Sequence, residues 1–356
     1  MSSHPKNGAT LHAEAAQALY RVAIVGAASL KGKELSEVLD ERNFPTREVK
    51  LLDDDESLGQ LEALKDEITF IQSIRSEQFE HVDFTFFADD AECTRKNWKQ
   101  VQSAGSAIID LSYALEDEPT AVLRAPWLER QMGQVVAPEL QPRPVVIAHP
   151  IAVVLALFLA RIQGAATLQH ASVIAFEPAS EHGQAGMDEL HQQTVNLLSF
   201  QQLPRKVFDV QVAFNLVARY GEESGSKLST VHDRVLRHYA KISAERLLTP
   251  SLLVVQAPTF HSHAFALNLR FENPTEVSSV SAALAGEHIS IIEADAEGPN
   301  NVNAAGQSDI LVSVVPDSSD RSMWLWAASD NLRVAASTAV ECAESMAAAR
   351  PRGQIQ

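Results

Sequence analysis

YRVAIVGAASLKG, residues 20–32, begins as an apolar, partly β-branched run and breaks into small, turn-forming residues before KELSEVLDER (33–42) takes up helical spacing. Strand, glycine-bearing turn and helix in direct succession form the opening unit of a doubly wound α/β sheet. A second strand is predicted at REVKLLD (47–53). Farther on, VDFTFFA (82–88) and AIIDLS (107–112) lack polar alternation, as parallel strands buried on both faces do, and AECTRKNWKQVQSAG (91–105) between them has helical periodicity. The alternation persists to about Pro150, so residues 19–150 read as a Rossmann-like nucleotide-binding domain.

Beyond Pro150 the pattern changes. PIAVVLALFLARIQ (150–163) is apolar all round but shorter than the roughly 20 residues that cross a bilayer, and is expected as a buried helix. HASVIAFEPAS (170–180), LLVVQAPTFHS (252–262), HAFALNLRFE (263–272) and ILVSVVPD (310–317) read as the longer strands of an α+β domain, residues 151–329, with a largely antiparallel sheet. SDNLRVAASTAVECAESMAAA (329–349) is an Ala-rich amphipathic helix expected, over 330–350, to pack back onto the first domain.

The whole chain has 356 residues, enough for two cores, with a net charge of −17 that opposes binding to nucleic acid or anionic membrane surfaces. Cysteine is limited to Cys93 and Cys342, which suits a reducing, cytoplasmic setting. Residues 1–18 read as a flexible tail without the basic start and apolar stretch of an export signal.

Gly26, Ser29 and Gly32 hold the spacing of a G-x-x-G-x-x-G loop at the strand-to-helix turn, where backbone N–H groups would face a pyrophosphate. The middle position carries a Cβ, and a turn that merely packs well accounts equally for the pattern. Asp53, Asp54, Asp55 and Glu56 lie where such folds place an acid against the adenosine ribose. Carboxylates there would favour NAD over NADP; a solvated acidic turn is the alternative.

In this order, VGAASLKGKELSEVLDERNFP (25–45), IIDLSYALEDE (108–118), VVAPEL (135–140), IAHP (147–150), ASVIAFEPASEHGQAGMDEL (171–190), VQAPTFHSH (255–263) and SDNLRVAAS (329–337) resemble the aspartate-semialdehyde dehydrogenase family over nearly the full length. The resemblance implies a nucleotide-binding domain, a second domain carrying catalytic residues and the dimer interface, and a homodimer. It also implies a cysteine thiolate that adds to an aldehyde, hydride transfer to NADP, and phosphate cleavage of the thioester.

Position by position, the family's asparagine-proline-asparagine-cysteine element falls on His149, Pro150, Ile151 and Ala152, so the nucleophile position holds a methyl group. The base histidine is implied at His263, the orienting glutamine at Glu177 and the substrate arginine at His261. An anion-binding arginine falls on Glu116, where the reversed charge would repel an anion. The 2′-phosphate contacts fall on Asp54 and Glu56, and paired glycines on Asp90 and Ala91. Cys93, in the first turn of a helix, is the better placed of the two thiols to replace the nucleophile, although an inert half-buried cysteine is the expected case.

His261 and His263 alternate along a predicted strand, so with His149, Glu177 and nearby His182 they could hold zinc; polar filler is the competing account. In SEHGQAGMDEL, Gly183 and Gly186 suit a structural loop before a helix, with Glu181 and His182 new to it. Three readings follow: a catalytically silent homodimer that binds a nucleotide or protein partner, an NAD-binding oxidoreductase of other mechanism, and a metal-dependent site.

Overall fold

The computed structural model describes residues 19–54, 61–64, 67–88, 90–134, 142–293 and 295–349. The expected tail over 1–18, Asp55, Glu56 and the VVAPEL stretch lie outside the described residues.

The first half runs β1 (Tyr20–Val25), α1 (Leu30–Glu41), β2 (Thr46–Asp53), a hairpin of β3 (Leu61–Leu64) and β4 (Glu67–Phe70), β5 (Gln72–Ser73), β6 (Phe84–Phe87), α2 (Ala91–Ser103), β7 (Ala107–Asp110), β8 (Val122–Arg124), α3 (Pro126–Gln131) and β9 (Val145–Ile147). Seven of these strands form one parallel sheet in the order β5-β2-β1-β6-β7-β9-β8. The order reverses direction between β1 and β6, and the crevice at the carboxyl ends of those two strands is where such a sheet receives a ligand. Val22 to Val25 are fully buried because helices cover both faces, which is why β1 carries no polar alternation.

The turn from β1 into α1 is made by close backbone approach. Gly26 sits at φ 84°, and a Cβ on Gly32 would lie 2.1 Å from the Gly26 carbonyl oxygen. Ser29 caps α1, its Oγ accepting from the Gly32 N–H at 3.0 Å.

The second half runs α4 (Pro150–Gln163), β10 (Leu168–Glu177), a single helical turn at Ala179–His182, α5 (Gly183–Leu198), α6 (Leu228–Ile242), β11 (Ser251–Gln256), β12 (His263–Phe271), α7 (Val277–Leu284), β13 (Ile289–Ile291), α8 (Asn301–Ala304), β14 (Ile310–Pro316), β15 (Ser322–Ser329) and α9 (Asn331–Ala349). Its sheet, ordered β11-β10-β12-β15-β14-β13, is antiparallel through its three central pairings and parallel at both edges. Antiparallel pairings thus predominate, as expected, in a mixed sheet.

Helix α4 is buried on every side, which explains its unbroken apolar sequence. Ile151 to Leu159 pack with Val173, Phe265, Leu267 and Leu325 of the second sheet, and also with Trp127 and Leu128 of α3. Helix α9 returns to the first half, where Ala335, Ala336, Ala339, Val340 and Ala343 share a core with Val22, Leu35 and Phe84. Small residues let α9 approach α1 closely, and ions fasten its rim: Arg333 reaches Glu34 at 3.0 Å and Glu41 at 2.8 Å, and Arg42 reaches Glu344 at 2.7 Å. Among the described residues no helix is long and apolar enough to cross a membrane.

Gly32→Ala forces a methyl group against a backbone carbonyl that no rotamer can clear. Its urea midpoint should fall by an amount equivalent to about 1–3 kcal/mol, the usual cost of overpacking. An unchanged midpoint would show that the turn relaxes freely.

A buried histidine and carboxylate cluster as the candidate active site

Three chain segments meet where the two sheets adjoin: the start of α4, the turn after β10 and the first residue of β12. His149 is the N-cap of α4, its Nδ1 accepting from the Ile151 N–H at 3.3 Å. Its backbone N–H donates to Nδ1 of His238, on α6, at 3.0 Å. A backbone amide can only donate, so Nδ1 of each imidazole is unprotonated and the proton of each neutral ring sits on Nε2. Burial drives both rings toward the neutral form, and His149 well below the ordinary histidine range.

His263 is fully buried, with its ring centroid 6.2 Å from that of His149. Its Nε2 lies 3.5 Å from Oε1 of Glu181, in the turn after β10. Burial would raise the Glu181 carboxyl, but His263, His149, the Lys31 ammonium and the Asn331 amide outweigh it and hold the group below the usual carboxylate range. Asn331, at the start of α9, fixes the group: its Nδ2 donates to Glu181 Oε1 at 2.8 Å, while its Oδ1 accepts from Ser180 Oγ at 3.2 Å and Ser262 N at 3.1 Å.

Ala152 occupies the first turn of α4, fully buried. Both cysteines of the chain belong to other cores. Cys342 is sealed in the α9 core, where burial pushes its thiol up, and Cys93 lies in the first turn of α2 against the opposite core of the first sheet, with Asp90 Oδ1 capping its N–H.

The sequence places His261 and His263 on one face of a strand; the structure corrects this. The strand expected from residue 252 stops at Gln256, Ser262 adopts φ 68°, and β12 starts only at His263. The positive φ breaks the alternation, so the two imidazoles do not share a face, and the His261 carbonyl is bound instead by Asn301 Nδ2 at 3.2 Å. Among the described residues no group of three or more His, Cys, Asp or Glu is arranged to hold a metal ion. Glu177 is buried at the end of β10 and faces His182, its Oε1 3.4 Å from Nε2.

Glu116, expected to repel an anion, is itself paired with cations. The carboxylate meets Arg234 at 3.0 Å, Arg237 at 3.2 Å and His238 Nε2 at 3.1 Å, all from α6. Burial tends to raise this carboxyl, and the hydrogen bonds from His238 and Arg234 overcome it, holding the group at about 2. Arg234 also lies 4.8 Å above the Tyr113 ring, which in turn stacks on His149 with centroids 5.6 Å apart. None of Tyr113, Arg234, His238 or Asn331 stood out in the sequence. Glu181 did, but as part of a structural loop.

At the crevice the glycine loop closes on itself. Ser29 Oγ donates to the Gly26 carbonyl at 2.7 Å, with the Ala88 carbonyl beyond β6 also in reach at 3.0 Å. Asp53 is turned inward, Oδ2 accepting from Ala28 N at 2.7 Å and Oδ1 from Asp54 N at 2.8 Å, while Asp54 is exposed. Lys31 Nζ spans to the Leu111 carbonyl beyond β7 at 3.2 Å and lies 5.2 Å from the Tyr113 ring. The side chains of Ser29 and Lys31 thus lace the loop after β1 to those after β6 and β7.

The profile described as the NAD binding domain of semialdehyde dehydrogenase matches residues 21–137, and that described as its dimerisation domain matches residues 159–334. A USG-1 protein homolog of Azotobacter vinelandii is 31% identical over 330 residues, spanning 91% of this chain and 96% of that one. An aspartate-semialdehyde dehydrogenase of Prochlorococcus marinus is 27% identical, spanning 91% and 94%. The solved structure of a probable aspartate-semialdehyde dehydrogenase from Pseudomonas aeruginosa superposes with a TM-score of 0.81 at 29% identity, over 92% of this chain and 98% of that one.

The Glu116 clamp has a pH signature. An unfolded chain takes up this proton near the ordinary value of 4.5 and the folded chain only near 2, so lowering the pH between those values favours unfolding. Denaturant melts should show stability lost across that window. Glu116→Gln should lower stability at neutral pH by roughly 2 kcal/mol, the worth of charged hydrogen bonds, and flatten the slope below pH 4.5.

Proposed function

From the premise that the chain belongs to the semialdehyde dehydrogenase family, we propose that it is a homodimeric binding or regulatory protein in which the family's thiolate-dependent aldehyde oxidation is absent. The observation that carries this reading is Ala152, buried in the first turn of α4 beside the His149–His263–Glu181 cluster, in a chain whose two cysteines lie elsewhere. Thioester chemistry needs a group that attacks a carbonyl and later departs; a methyl group does neither.

The crevice supports the same reading. Ser29 Oγ takes the Gly32 N–H, Asp53 takes the Ala28 N–H, and Lys31 crosses to Leu111, so these three groups are engaged within the chain where a pyrophosphate and ribose would seek them. These residues do not fit a dinucleotide, and no step of the proposed role passes through one. The cluster nonetheless keeps a capacity for a small polar ligand. His263 Nδ1 and Nε2, Ser262 Oγ, Ser329 Oγ and Thr259 Oγ1 are buried with no hydrogen-bond partner among the described residues, and buried polar atoms of this kind gain from a guest that can bond them.

Dimerisation is supported by the outer face of the second sheet. Ile174 and Phe176 stand half-buried beside Leu253, Trp324 and Trp326, which are 49%, 41% and 37% exposed. A shallow recess of about 270 Å³ opens between Ile174, Leu253 and Trp324. An apolar face of this kind is what a second copy covers.

Calorimetric titration with NAD and with NADP should give no saturable heat up to about 1 mM ligand, the weak end of measurable affinity. Ala152→Cys should leave aspartate-semialdehyde oxidation undetectable; turnover in that variant would mean that the altered groups around it still support the chemistry. Sedimentation should find a dimer that Trp324→Asp combined with Leu253→Asp converts to monomer, whereas a monomeric wild type would remove the dimer from the reading.

A further inference from the structure

A second constellation lies around Glu177, where a chain of hydrogen bonds fixes one proton after another. Gln256 Nε2 donates to the Glu177 carbonyl at 2.9 Å and to the Ala257 carbonyl at 2.8 Å, so its Oε1 must accept. It does so from the Tyr220 hydroxyl at 2.6 Å. With its proton given to Gln256, the Tyr220 oxygen is the acceptor for His182 Nε2 at 2.8 Å. His182 therefore carries its proton on Nε2, and in the neutral ring Nδ1 is a free lone pair. That lone pair faces Ser226 Oγ at 3.4 Å. Glu177 Oε1 stands 3.4 Å from Nε2, on the opposite edge of the ring, with Oε2 buried and without a partner.

We propose that Ser226, His182 and Glu177 form a serine acyl-transfer site for short acyl esters and thioesters. Nucleophile, base and orienting carboxylate lie in sequence, at the separations usual before substrate tightens them. The base is rigidly built. The His182 ring is walled by Phe208 at 5.0 Å and Tyr220 at 5.3 Å, and a Cβ on Gly186 would come within 2.6 Å of the His182 Cβ, so glycine is required beside it. The nucleophile's loop is pinned as well, Ser224 Oγ donating to the Val207 carbonyl at 2.6 Å and accepting from Ser226 N at 3.3 Å. Ser226 is half-exposed, so an ester reaches it from solvent. Just beyond it α6 begins, and Lys227 supplies no side-chain cap, leaving first-turn N–H groups to receive an oxyanion.

In the reaction Ser226 Oγ bonds to the acyl carbon as its proton passes to His182 Nδ1 and the carbonyl electron pair moves onto oxygen. Collapse of that adduct breaks the bond to the alkoxide or thiolate, which leaves with the proton from His182. Water then repeats the sequence, releasing the acid and restoring the serine. Glu177 stabilises the imidazolium at each transfer, and Tyr220 holds its orientation without touching substrate.

The test uses the full-length protein with p-nitrophenyl acetate and an alkyl fluorophosphonate. Peptide mass mapping should place the phosphonyl adduct on Ser226, and acetate release should be recorded across a pH profile. Ser226→Ala should abolish both signals with an unaltered thermal melt, and His182→Gln should slow both by about 100-fold or more, the usual worth of a general base. Tyr220→Phe, which frees the ring, should slow acylation and displace the pH profile. An adduct elsewhere, no adduct, or an unchanged rate in His182→Gln overturns the proposal. The wild-type adduct map decides it even if a histidine variant fails to fold. Neither reagent needs a nicotinamide or a thiol, so failure here leaves the reading of Ala152 standing.

Discussion

The side-chain amide of Asn331 is the joint on which the architecture turns. Here the chain leaves β15 of the second sheet and enters α9, which belongs to the core of the first. Asp330 caps that helix, its Oδ1 accepting from the N–H groups of Leu332 and Arg333 at 2.9 and 3.0 Å. Asn331 binds, in the same place, the turn after β10 and the start of β12. One buried amide thus sets the helix that closes the first half and the two segments that carry Glu181 and His263. Satisfied polar networks of this kind fix a unique arrangement, because any displacement leaves several groups unpaired in a low-dielectric interior.

Much of the fold was legible because backbone and burial agree with local sequence. The β1 turn announces itself through small residues, α4 through an apolar run that only burial on all sides explains, and α9 through its alanines. The failures have physical causes of equal clarity. No pattern at Ser262 signals that a serine will adopt φ 68°, so a strand-like H-x-H misleads. His238 and Arg234 lie on α6 in the chain's second half, and nothing local shows that a glutamate more than a hundred residues earlier will claim them.

Charge tells the same story. In a strongly acidic chain, cations are gathered at inner junctions: Arg333 between α9 and α1, Arg234 beside Tyr113, Lys31 over the crevice. Acidic residues that look misplaced when read singly form compensated sets when read in space. Glu116 comes with its three basic partners, and Glu181 with its histidines and Asn331. Removal of a single member of either set would strand a buried charge, which is why such groups tend to persist or vanish together.

The all-round burial of α4 has a consequence for how this chain can change over generations. The helix gives its stability through Ile151 to Leu159, none of which needs a reactive group at the amino end. Exchange of a thiol for a methyl at position 152 leaves that apolar contribution intact, so selection for folding alone would not resist it. As far as folding is concerned, the amino end of α4 is therefore tolerant of side-chain exchange, because the stability of the helix is supplied along the rest of its length.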